Sequence, residues 1–449
     1  MEQIRISVPN EIQKVLDRLE ANGHEAYIVG GCVRDSLLDR TPNDWDVTTS
    51  ALPTQIIETF FDHRVIETGI KHGTVAVIVE GQQIEITTYR SDGEYLDNRH
   101  PASVTFSKNI RDDLSRRDFT VNAMAYHPKH GLIDLFDGRR DLSNRVIRCV
   151  GQAEKRFEED GLRILRAIRF ASVLNFRVEE ETARAIHSHS SLLSGIAAER
   201  IREEFCKLLT GVGAVRIIRE YMDVISVFLP ELALCQGFDQ NTKYHCYDVL
   251  DHTLYALDEC ETDDLLTRLS ILFHDIGKPH CYTEDENGGH FKGHAPIGVD
   301  LTEQILRRLR FDNDTVARMK LLVELHDLPI APQRKSVKRL MQKLSDEDIY
   351  RLLELKRCDR LAHASFFREV PPEIFRVPEI MQQIREEAAC LTLADLAVKG
   401  GDLLAIGIPT GKGMGEILNL LLDAVIEERL ANEREALLSY AKQLTFDQQ

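Results

Sequence analysis

Long uncharged apolar runs are missing from this 449-residue sequence. A membrane-spanning helix needs about 20 such residues, so we expect no membrane span. The first 25 residues carry charge throughout and contain no apolar stretch of the kind found in signal peptides. The nine cysteines are scattered and form no CxxC pair, which argues against a disulfide framework or a zinc knuckle. We therefore expect a cytoplasmic protein that has no membrane partner.

Positive charge is also scarce, because 56 Lys and Arg face 73 Asp and Glu and give a formal net charge of −17. This balance argues against indiscriminate binding of nucleic acid over the whole surface. A nucleic-acid enzyme is still compatible with it, since binding depends on where basic residues cluster and since metal ions supply positive charge. The 43% hydrophobic and 29% charged residues are typical of a globular protein, and the length predicts two to four domains.

Strand and helix signals alternate in residues 1–140. A short β run occupies Ala26–Val29, and two more at residues 74–80 and 83–89 are spaced as in a hairpin. Beyond this region, long helical periodicity dominates, and a proline-containing stretch at residues 371–378 precedes the last helical part. The pattern predicts an α+β head followed by a mostly helical body.

Two aspartates in the head, Asp44 and Asp46, are two residues apart. If residues 44–48 form a strand, both carboxylates lie on one face, where they repel each other unless a cation lies between them. A hard divalent ion with oxygen ligands satisfies this need, and Mg²⁺ is the usual choice beside phosphates. Glu85 is the expected third carboxylate, because its neighbours Ile84 and Ile86 are apolar. An isolated DxD is more often a solvated turn.

Gly30 and Gly31 precede a predicted helix at residues 32–38. Paired glycines that open a helix let backbone N–H groups approach a phosphate, and Arg34 lies one helical turn further on. A lone Gly-Gly pair is a weak signal, but its combination with Arg34 and with the two aspartates at this spacing is a much stronger one.

Six motifs follow one another along the chain: GGCVRD, NDWDVTTSALP, SRRDFTVNAMAY, DLFDG, EEDGLRILRAIRF and ERIREEFCKLL. Together with the segment GGDLLAIGIPTGKGMGEILNLLLDAVIEERLANEREAL, they resemble class II tRNA nucleotidyltransferases, the CCA-adding enzymes, whose close relatives are the bacterial poly(A) polymerases. The resemblance implies a polymerase-β-like head with a helical neck, body and tail. It assigns Asp44 and Asp46 to metal binding, Gly31 and Arg34 to the triphosphate, and Arg117 to assisting them.

The segment EEDGLRILRAIRF places Asp160, Arg163, Arg166 and Arg169 three residues apart on a predicted helix. Such a pattern alone usually marks a solvated charged face. A carboxylate accepts a hydrogen bond from the exocyclic amine of cytosine or adenine, and a guanidinium donates to the ring nitrogen, whereas uracil and guanine present a carbonyl instead of the amine. The resemblance assigns this base selection to Asp160 and Arg163, with Arg166 and Arg169 near the nucleotide.

A polar loop at residues 91–100, including Arg99, separates two head motifs. In the family that the chain resembles, a flexible loop here is tied to the switch from C to A addition, and enzymes that add only CC have a shortened loop. Its presence favours full CCA addition or A addition, which the sequence does not separate.

Histidines and aspartates recur from His252 through His274-Asp275, His294 and His326 to Asp359. This order resembles that of the HD metal-dependent phosphohydrolases. The resemblance implies a metal set of His252, His274, Asp275 and Asp359, with His294 and His326 at a second ion or at a phosphate, and the ion would be Ni²⁺, Mn²⁺ or Mg²⁺. A retained fold without catalysis is the alternative.

These resemblances imply four segments: a nucleotidyltransferase head at residues 1–140, a neck with the base-selecting motif at 141–225, an HD-type helical domain at 226–375 and a tRNA-binding helical tail at 376–449. The expected activity is template-independent addition of CCA to the 3′ end of tRNA from CTP and ATP, with release of pyrophosphate. The catalytic residues would be Asp44, Asp46 and Glu85. The sequence does not indicate an oligomeric state.

Three other functions fit parts of the sequence. The first is an A-adding enzyme or a poly(A) polymerase, and the latter is disfavoured because the chain ends LTFDQQ without a basic extension. The second is an HD phosphohydrolase with a vestigial head. The third is a non-catalytic RNA-binding protein, which the net charge disfavours.

Overall fold

The structure is a computed structural model that describes residues 4–93, 103–387 and 389–446. It divides the chain into two compact units, Met1–Ala233 and Leu234–Gln449. Within the described ranges, no helix has both the length and the apolar character that crossing a membrane requires. All nine cysteines are free thiols.

The first unit contains an α+β part followed by helices. Its helices are α1 (Asn10–Ala21), α2 (Gly31–Leu37), α3 (Pro53–Thr59), α4 (Ile110–Ser115), α5 (Gly138–Ser143), α6 (Ala153–Glu159), α7 (Leu162–Leu174), α8 (Glu180–Ser188), α9 (Ala198–Leu209), α10 (Ala214–Glu220), α11 (Met222–Ile225) and α12 (Pro230–Ala233). Its strands are β1 (Ala26–Val29), β2 (Asp46–Thr49), β3 (Arg64–Ile66), β4 (Thr74–Val79), β5 (Gln82–Thr88), β6 (Arg90–Asp92), β7 (Val104–Phe106), β8 (Met124–His127), β9 (Gly131–Asp134), β10 (Val146–Ile147) and β11 (Arg177–Val178).

Seven of these strands form one sheet in the order β3-β4-β5-β2-β1-β8-β9. Neighbouring strands are antiparallel except β2 and β5, which are parallel and place Asp46 beside Glu85. On β5, Ile84 and Ile86 are fully buried while Glu85 is exposed, so the period of two separates an apolar from an acidic face. The sheet therefore presents carboxylates from two adjacent strands on one face.

The predicted hairpin is present as β4 and β5. Its two-residue turn consists of Glu80 and Gly81, both with positive φ (51° and 86°). Positive φ at both central residues is typical of the type I′ turn, whose twist matches that of the flanking strands. The turn fixes the register of β5 and with it the side on which Glu85 projects.

The second unit is almost entirely helical. Its helices are α13 (Val249–Asp258), α14 (Leu265–Phe273), α15 (His294–Arg308), α16 (Asn313–Leu325), α17 (Arg334–Lys343), α18 (Asp346–Leu361), α19 (Pro372–Glu386), α20 (Gly400–Ala405), α21 (Lys412–Ile426) and α22 (Arg434–Phe446), and its strands are β12 (Thr283–Asp285) and β13 (Gly288–His290). Helix α18 packs against α13, α14 and α16, and α15 packs against α16. A separate apolar cluster joins α20, α21 and α22.

Side-chain caps start four of the five helices of that packed group. Asp248, Asp264, Asp312 and Ser345 each precede a helix (α13, α14, α16 and α18, respectively) and accept a hydrogen bond from a backbone N–H of its first turn. Such a cap stabilises a helix by roughly 1 kcal/mol, because it satisfies an amide that has no partner within the helix. The caps fix where each helix begins and therefore which residues face the interior.

The α+β head followed by helices confirms the predicted fold class. Three local predictions were wrong. Strand β2 begins at Asp46, so Asp44 lies before the strand. Asp160 has extended backbone angles between α6 and α7 and is not helical. The proline-containing stretch is helical in α19, because Pro372 occupies the first turn, where no amide partner is needed, and Pro378 is accommodated inside the helix.

The four-segment division is finer than the two compact units and stays a prediction. Two of its boundaries, after residues 140 and 375, fall inside α5 and α19. Local composition did not reveal these two helices, because α5 is short and rich in polar residues and because Pro372 and Pro378 obscure the apolar repeat of Val377, Met381 and Ile384 in α19.

Candidate functional sites in the two units

Three carboxylates, Asp44, Asp46 and Glu85, form an acidic group at the sheet of the first unit, and we call them the head carboxylates. Asp44 and Asp46 are exposed on either side of Trp45, which is buried, so they project to the same side although Asp44 precedes the strand. Asp46 and Glu85 are directly opposite each other on β2 and β5. The arrangement concentrates negative charge at one place on the surface.

The electrostatics of the head carboxylates favour a cation. Surrounding protein atoms remove part of the hydration of Asp46 and raise its pKa, and Glu85 and Asp44 raise it further by repulsion, whereas Arg117 lowers it. A divalent cation would relieve this repulsion, and three carboxylates provide the hard oxygen ligands that Mg²⁺ prefers. The donor set therefore fits a hard divalent ion.

A glycine turn and two arginines lie beside the head carboxylates. Gly30 has φ of +83° and precedes α2, which begins at Gly31. A Cβ on Gly30 would lie 3.0 Å from Arg117 Nη1, so this arginine contacts the turn closely. Arg34 donates from Nη1 to Asn122 Oδ1 at 2.6 Å and is largely buried. Backbone amides and guanidinium groups thus face the same region, which suits a phosphate.

The arginines of α7 are tied to acidic partners that are remote in sequence. Arg166 donates to Asp118 Oδ2 from Nε (2.9 Å) and Nη2 (2.6 Å), and Arg169 donates to Glu204 at 2.7 Å. Burial acts to raise the pKa of Asp118, but the charge and hydrogen bonds of Arg166 outweigh it and hold this pKa at about 2. Phe170 packs under both arginines, with Arg169 Cζ 3.5 Å from the ring centroid.

The two predicted base-selecting residues already have partners within the chain. Asp160 accepts from the backbone N–H of Leu162 at 3.0 Å, which caps α7, and from Arg200 Nη2 at 3.0 Å. Arg163 donates from Nη1 to Glu159 Oε2 at 2.5 Å. The backbone N–H of Arg163 donates to the carbonyl of Asp160, so the two residues are adjacent. A base that pairs with them must share or displace these contacts.

In the second unit, six side chains from five segments of the chain converge, and we call them the histidine cluster: His252, His274, Asp275, His294, His326 and Asp359. His252 lies on α13 and Asp359 on α18, His274 and His326 follow the last residues of α14 and α16, and His294 begins α15. The four imidazoles are at most 8% exposed. Helix packing therefore brings together residues spread over more than 100 positions.

Each imidazole of the histidine cluster is oriented by a backbone carbonyl. His274, His294 and His326 hold Nδ1 within 2.6–2.9 Å of the carbonyl three residues earlier, and His252 Nδ1 lies 3.3 Å from the carbonyl of Ala362. A carbonyl only accepts, so Nδ1 carries the proton and donates it. The lone pair of a neutral imidazole then resides on Nε2, as in metal-ligating histidines.

The Nε2 atoms point towards the two carboxylates in two groups. His252 Nε2 lies 2.9 Å from Asp359 Oδ1, and His274 Nε2 lies 3.2 Å from Asp275 Oδ2. His294 and His326 approach Asp275 Oδ1 at 3.5 and 3.8 Å. Asp275 therefore faces both groups, one with each oxygen, which is the arrangement of a carboxylate that bridges two metal ions.

Three observations fit a cation in the histidine cluster. His294 Nε2 and His326 Nε2 lie 3.1 Å apart, so two lone pairs face each other unless a cation or a proton lies between them. His274 Nε2 is buried and makes no hydrogen bond to any described residue. The buried carboxylate of Asp275 lies between Nε2 of His274 on one side (3.2 Å) and Nε2 of His294 on the other (3.5 Å). Imidazole and carboxylate ligands together suit a borderline divalent metal.

The sequence prediction missed several residues that adjoin these sites. His363 Nδ1 lies 3.7 Å from Asp359 Oδ1, and Lys278 Nζ lies 2.6 Å from Asp275 Oδ2. The His363 spacing of four residues from Asp359 could have indicated it. Asp118 was visible as the aspartate of SRRDF, but nothing local indicates its partner Arg166. Arg99 and most of the predicted loop at residues 91–100 lie outside the described residues.

Three family profiles match the chain. The profile described as "Poly A polymerase head domain" matches residues 26–148, the one for an RNA-binding and SrmB-binding site of polymerase A matches residues 175–235, and that of tRNA nucleotidyltransferase domain 2 matches residues 298–441. They cover most of the head, helices α8–α12 and most of the second unit.

Similar proteins are CCA-adding enzymes. That of Lactobacillus delbrueckii subsp. bulgaricus is 50% identical over 223 residues, which span 49% of this chain and 56% of the relative. That of Lactiplantibacillus plantarum is 33% identical over 448 residues, 98% of each chain. The crystal structure of the Bacillus stearothermophilus CCA-adding enzyme in complex with CTP is 28% identical, covers 98% of each chain and has a TM-score of 0.75. The predicted resemblance is thus confirmed, and this chain belongs to the CCA-adding enzymes, a family of tRNA nucleotidyltransferases.

Proposed function

We propose that the chain adds C, C and A without a nucleic-acid template to the 3′ end of tRNA, using CTP and ATP and releasing pyrophosphate. The observation that supports this most strongly is the group of head carboxylates beside the Gly30–Gly31 turn and Arg117. A carboxylate site next to backbone amides and guanidinium groups can hold both a divalent ion and a triphosphate.

Enzymes of this family depend on a divalent metal ion. Asp44 and Asp46, with Glu85, are the residues that would hold it, and their oxygen ligands favour Mg²⁺. The ion would lower the pKa of the tRNA 3′-hydroxyl and neutralise charge at the reacting phosphate. Glu85 lies beside Asp46 on the neighbouring strand, and the pairing of the two strands keeps both carboxylates in place.

Gly31, Arg34 and Arg117 are proposed to bind the triphosphate. Asn122 and Asp35 hold Arg34 in place through hydrogen bonds, and Asp113 holds Arg117 at 3.2 Å. Arginines fixed in this way lose little conformational entropy when they bind phosphate. Their contribution to catalysis is positioning of the α-phosphate for attack by the hydroxyl.

Asp160 and Arg163 are proposed to select the base. Their partners Arg200 and Glu159 hold them in a fixed orientation before a nucleotide arrives. A carboxylate that faces the carbonyl of uracil or guanine would be left without a donor, and an unpaired polar group strongly disfavours the wrong substrate. Arg166 and Arg169, held by Asp118 and Glu204, would support this surface near the nucleotide.

The test uses tRNA that lacks its last three nucleotides and, in parallel, tRNA that already ends in CC, each incubated with every labelled nucleotide alone and with CTP and ATP together. CCA addition gives two C residues with CTP alone and a complete terminus with both. Long A tails would indicate a poly(A) polymerase, and addition only to tRNA that already ends in CC would indicate an A-adding enzyme. Sequencing the product ends distinguishes these outcomes.

The four-segment division, including tRNA binding by residues 376–449, belongs to this proposal, as does a cytoplasmic location. The nine free cysteines support a reducing compartment. Cross-linking of tRNA followed by peptide mapping tests whether the tail binds tRNA, because cross-links confined to the first unit would exclude tRNA binding by the tail.

We also propose a second activity, metal-dependent hydrolysis of phosphate esters at RNA ends by the histidine cluster. The observation that favours it is the common orientation of the four imidazoles, each with Nδ1 at a carbonyl and Nε2 towards Asp275 or Asp359. His252, His274, Asp275 and Asp359 would hold one ion, and His294 and His326 would hold a second ion or contact phosphate. Such a site can activate water for attack on phosphorus.

The test compares phosphatase activity of the wild type with that of the double variant His274→Ala/Asp275→Ala in Ni²⁺, Mn²⁺ or Mg²⁺. Loss of activity in the variant is expected. Equal rates would show that the cluster does not catalyse hydrolysis.

A further inference from the structure

Three aromatic side chains lie beside the histidine cluster, and we call Tyr244, Phe366 and Phe367 the aromatic platform. The Tyr244 ring centroid is 5.0 Å from that of Phe367 and 6.5 Å from that of Phe366. Phe366 is 66% exposed and Tyr244 is 41% exposed. Exposed aromatic rings grouped next to a polar centre are typical of a ligand-binding surface.

Phe367 connects the aromatic platform to the histidine cluster, because it lines a cavity with two residues of the cluster and its ring packs near those of Tyr244 and Phe366. Phe367 lines a cavity of about 350 Å³ together with His326, Asp359 and His363. The rings of His363 and Phe367 have centroids 5.4 Å apart, and Ala364 N donates to the carbonyl of Tyr244 at 2.8 Å, which holds the two segments together. A ligand of nucleotide size can therefore contact the platform and the cluster simultaneously.

Cationic side chains surround this cavity. Lys356 and Arg360 line it, and Lys278 and Lys292 line a neighbouring cavity of about 300 Å³ that reaches Asp275, His294 and His326. Arg360 Cζ lies 4.0 Å from the Phe367 ring centroid. Alternation of aromatic rings with Lys and Arg is the pattern by which proteins bind single-stranded nucleic acid.

We propose that the aromatic platform stacks the base of the last nucleotide of a single-stranded RNA end and presents its terminal phosphate to the histidine cluster. This inference rests on the phosphohydrolase activity proposed above and names its substrate class. Every base has a π face, so stacking tolerates any of the four bases. A phosphate ester without a base would leave the rings unused.

The reaction implied is hydrolysis of a phosphate monoester. The oxygen of water forms a bond to phosphorus, the bond between phosphorus and the ribose oxygen breaks, and the ribose oxygen takes up a proton. The products are inorganic phosphate and an RNA end with a free hydroxyl, which is the group that nucleotide addition requires.

The first test measures binding by the fluorescence of etheno-adenosine 3′-monophosphate without added metal, and any binding at the head site is then common to the wild type and the variants. Phe366→Ala is expected to raise the Kd about tenfold, Tyr244→Ala to raise it less, and Phe366→Tyr to leave it unchanged. Tyr350→Ala is the matched control, because this ring is 52% exposed on α18 but more than two turns from Asp359.

The second test compares kcat/KM for adenosine 3′-monophosphate and for glycerol 2-phosphate, which has no base. Phe366→Ala is expected to lower the first about tenfold and to leave the second unchanged. If the wild type hydrolyses neither ester with Ni²⁺, Mn²⁺ or Mg²⁺, the phosphohydrolase proposal fails, and the binding titration still decides on the platform. Wild-type binding and turnover in both alanine variants would show that the platform does not recognise the base.

Discussion

The head carboxylates and the histidine cluster both suit divalent cations, yet they differ in almost every physical property. The head carboxylates are exposed and offer only oxygen ligands, and they lie on two strands of a sheet (Asp46 and Glu85) or just before one (Asp44). The histidine cluster is buried, offers nitrogen and oxygen ligands and is assembled from helices. The head carboxylates repel one another at the protein surface. In the histidine cluster, the negative charge of Asp275 is compensated by Lys278 and by oriented imidazoles.

This difference teaches how each cation would be retained. Exposed carboxylates bind a hard ion weakly and exchange it with solvent, so the ion can arrive and leave with the triphosphate. Buried imidazoles with fixed tautomers bind a borderline metal tightly, and losing it leaves facing lone pairs in the interior. The metal proposed for the first unit would therefore be exchangeable, whereas the one proposed for the second would be resident.

The largest expected effect is that of Asp46→Ala, which removes one of the head carboxylates and leaves the histidine cluster unchanged. Nucleotide addition should fall by on the order of 10³-fold or more, because electrostatic stabilisation of the reacting phosphate is lost. Binding of tRNA and hydrolysis of phosphate esters should remain, since neither is proposed to use Asp46. Glu58→Ala, another exposed carboxylate in the head, should retain wild-type addition. Near wild-type turnover of Asp46→Ala would refute the metal assignment.

His274→Ala tests the resident metal directly. After dialysis against a mild chelator, wild-type protein should retain close to stoichiometric Ni²⁺, Mn²⁺ or Mg²⁺ in a metal analysis, while the variant should retain roughly 10- to 100-fold less. Nucleotide addition should recover fully in both proteins when Mg²⁺ is restored. His280→Ala serves as the control, because this histidine lies outside the cluster. Equal metal content in wild type and His274→Ala would contradict a resident ion.

The sequence was sufficient for positions that follow from local spacing. The alternation at Asp44 and Asp46 placed both on one side, and the apolar neighbours of Glu85 placed it on the acidic face. The sequence did not predict contacts between distant positions. Arg200 and Asp160 are 40 residues apart, and Arg166 and Asp118 are 48 apart. Periodicity describes one helix at a time, so it cannot indicate which acid an arginine meets after folding.

Arg163→Ala tests base choice separately from metal binding, because Arg163 is proposed to contact the base and not the metal ion. Misincorporation of UTP relative to CTP should rise by roughly tenfold, because one bidentate contact with a base contributes about 1–3 kcal/mol to discrimination. The KM for CTP should change less, since the triphosphate contacts are made by other residues. Arg163→Lys should restore charge but little discrimination, because a lysine lacks the planar fork of donors. Unchanged base choice in Arg163→Ala would exclude this residue as a selector.

Asp118→Asn has the smallest expected effect and concerns the stability of the first unit alone. Arg166 would lose a charged partner in a mostly buried pair, which should lower the free energy of unfolding by about 2 kcal/mol. Trp45 is the only tryptophan, so its fluorescence follows unfolding of this unit during urea titration.

The pH dependence of this effect has a defined sign. The pKa of Asp118 is about 2 in the folded state, below its ordinary value, so its contribution is fully present above pH ~4 and is lost as the pH falls towards 2. The difference between wild type and Asp118→Asn should therefore stay constant from pH 8 to pH 5 and narrow below pH 4. Glu154→Gln, an exposed carboxylate on α6, should show no such difference. A difference that grows on acidification would mean that Asp118 is not ionised beside Arg166, and another interaction would have to hold α7 in place.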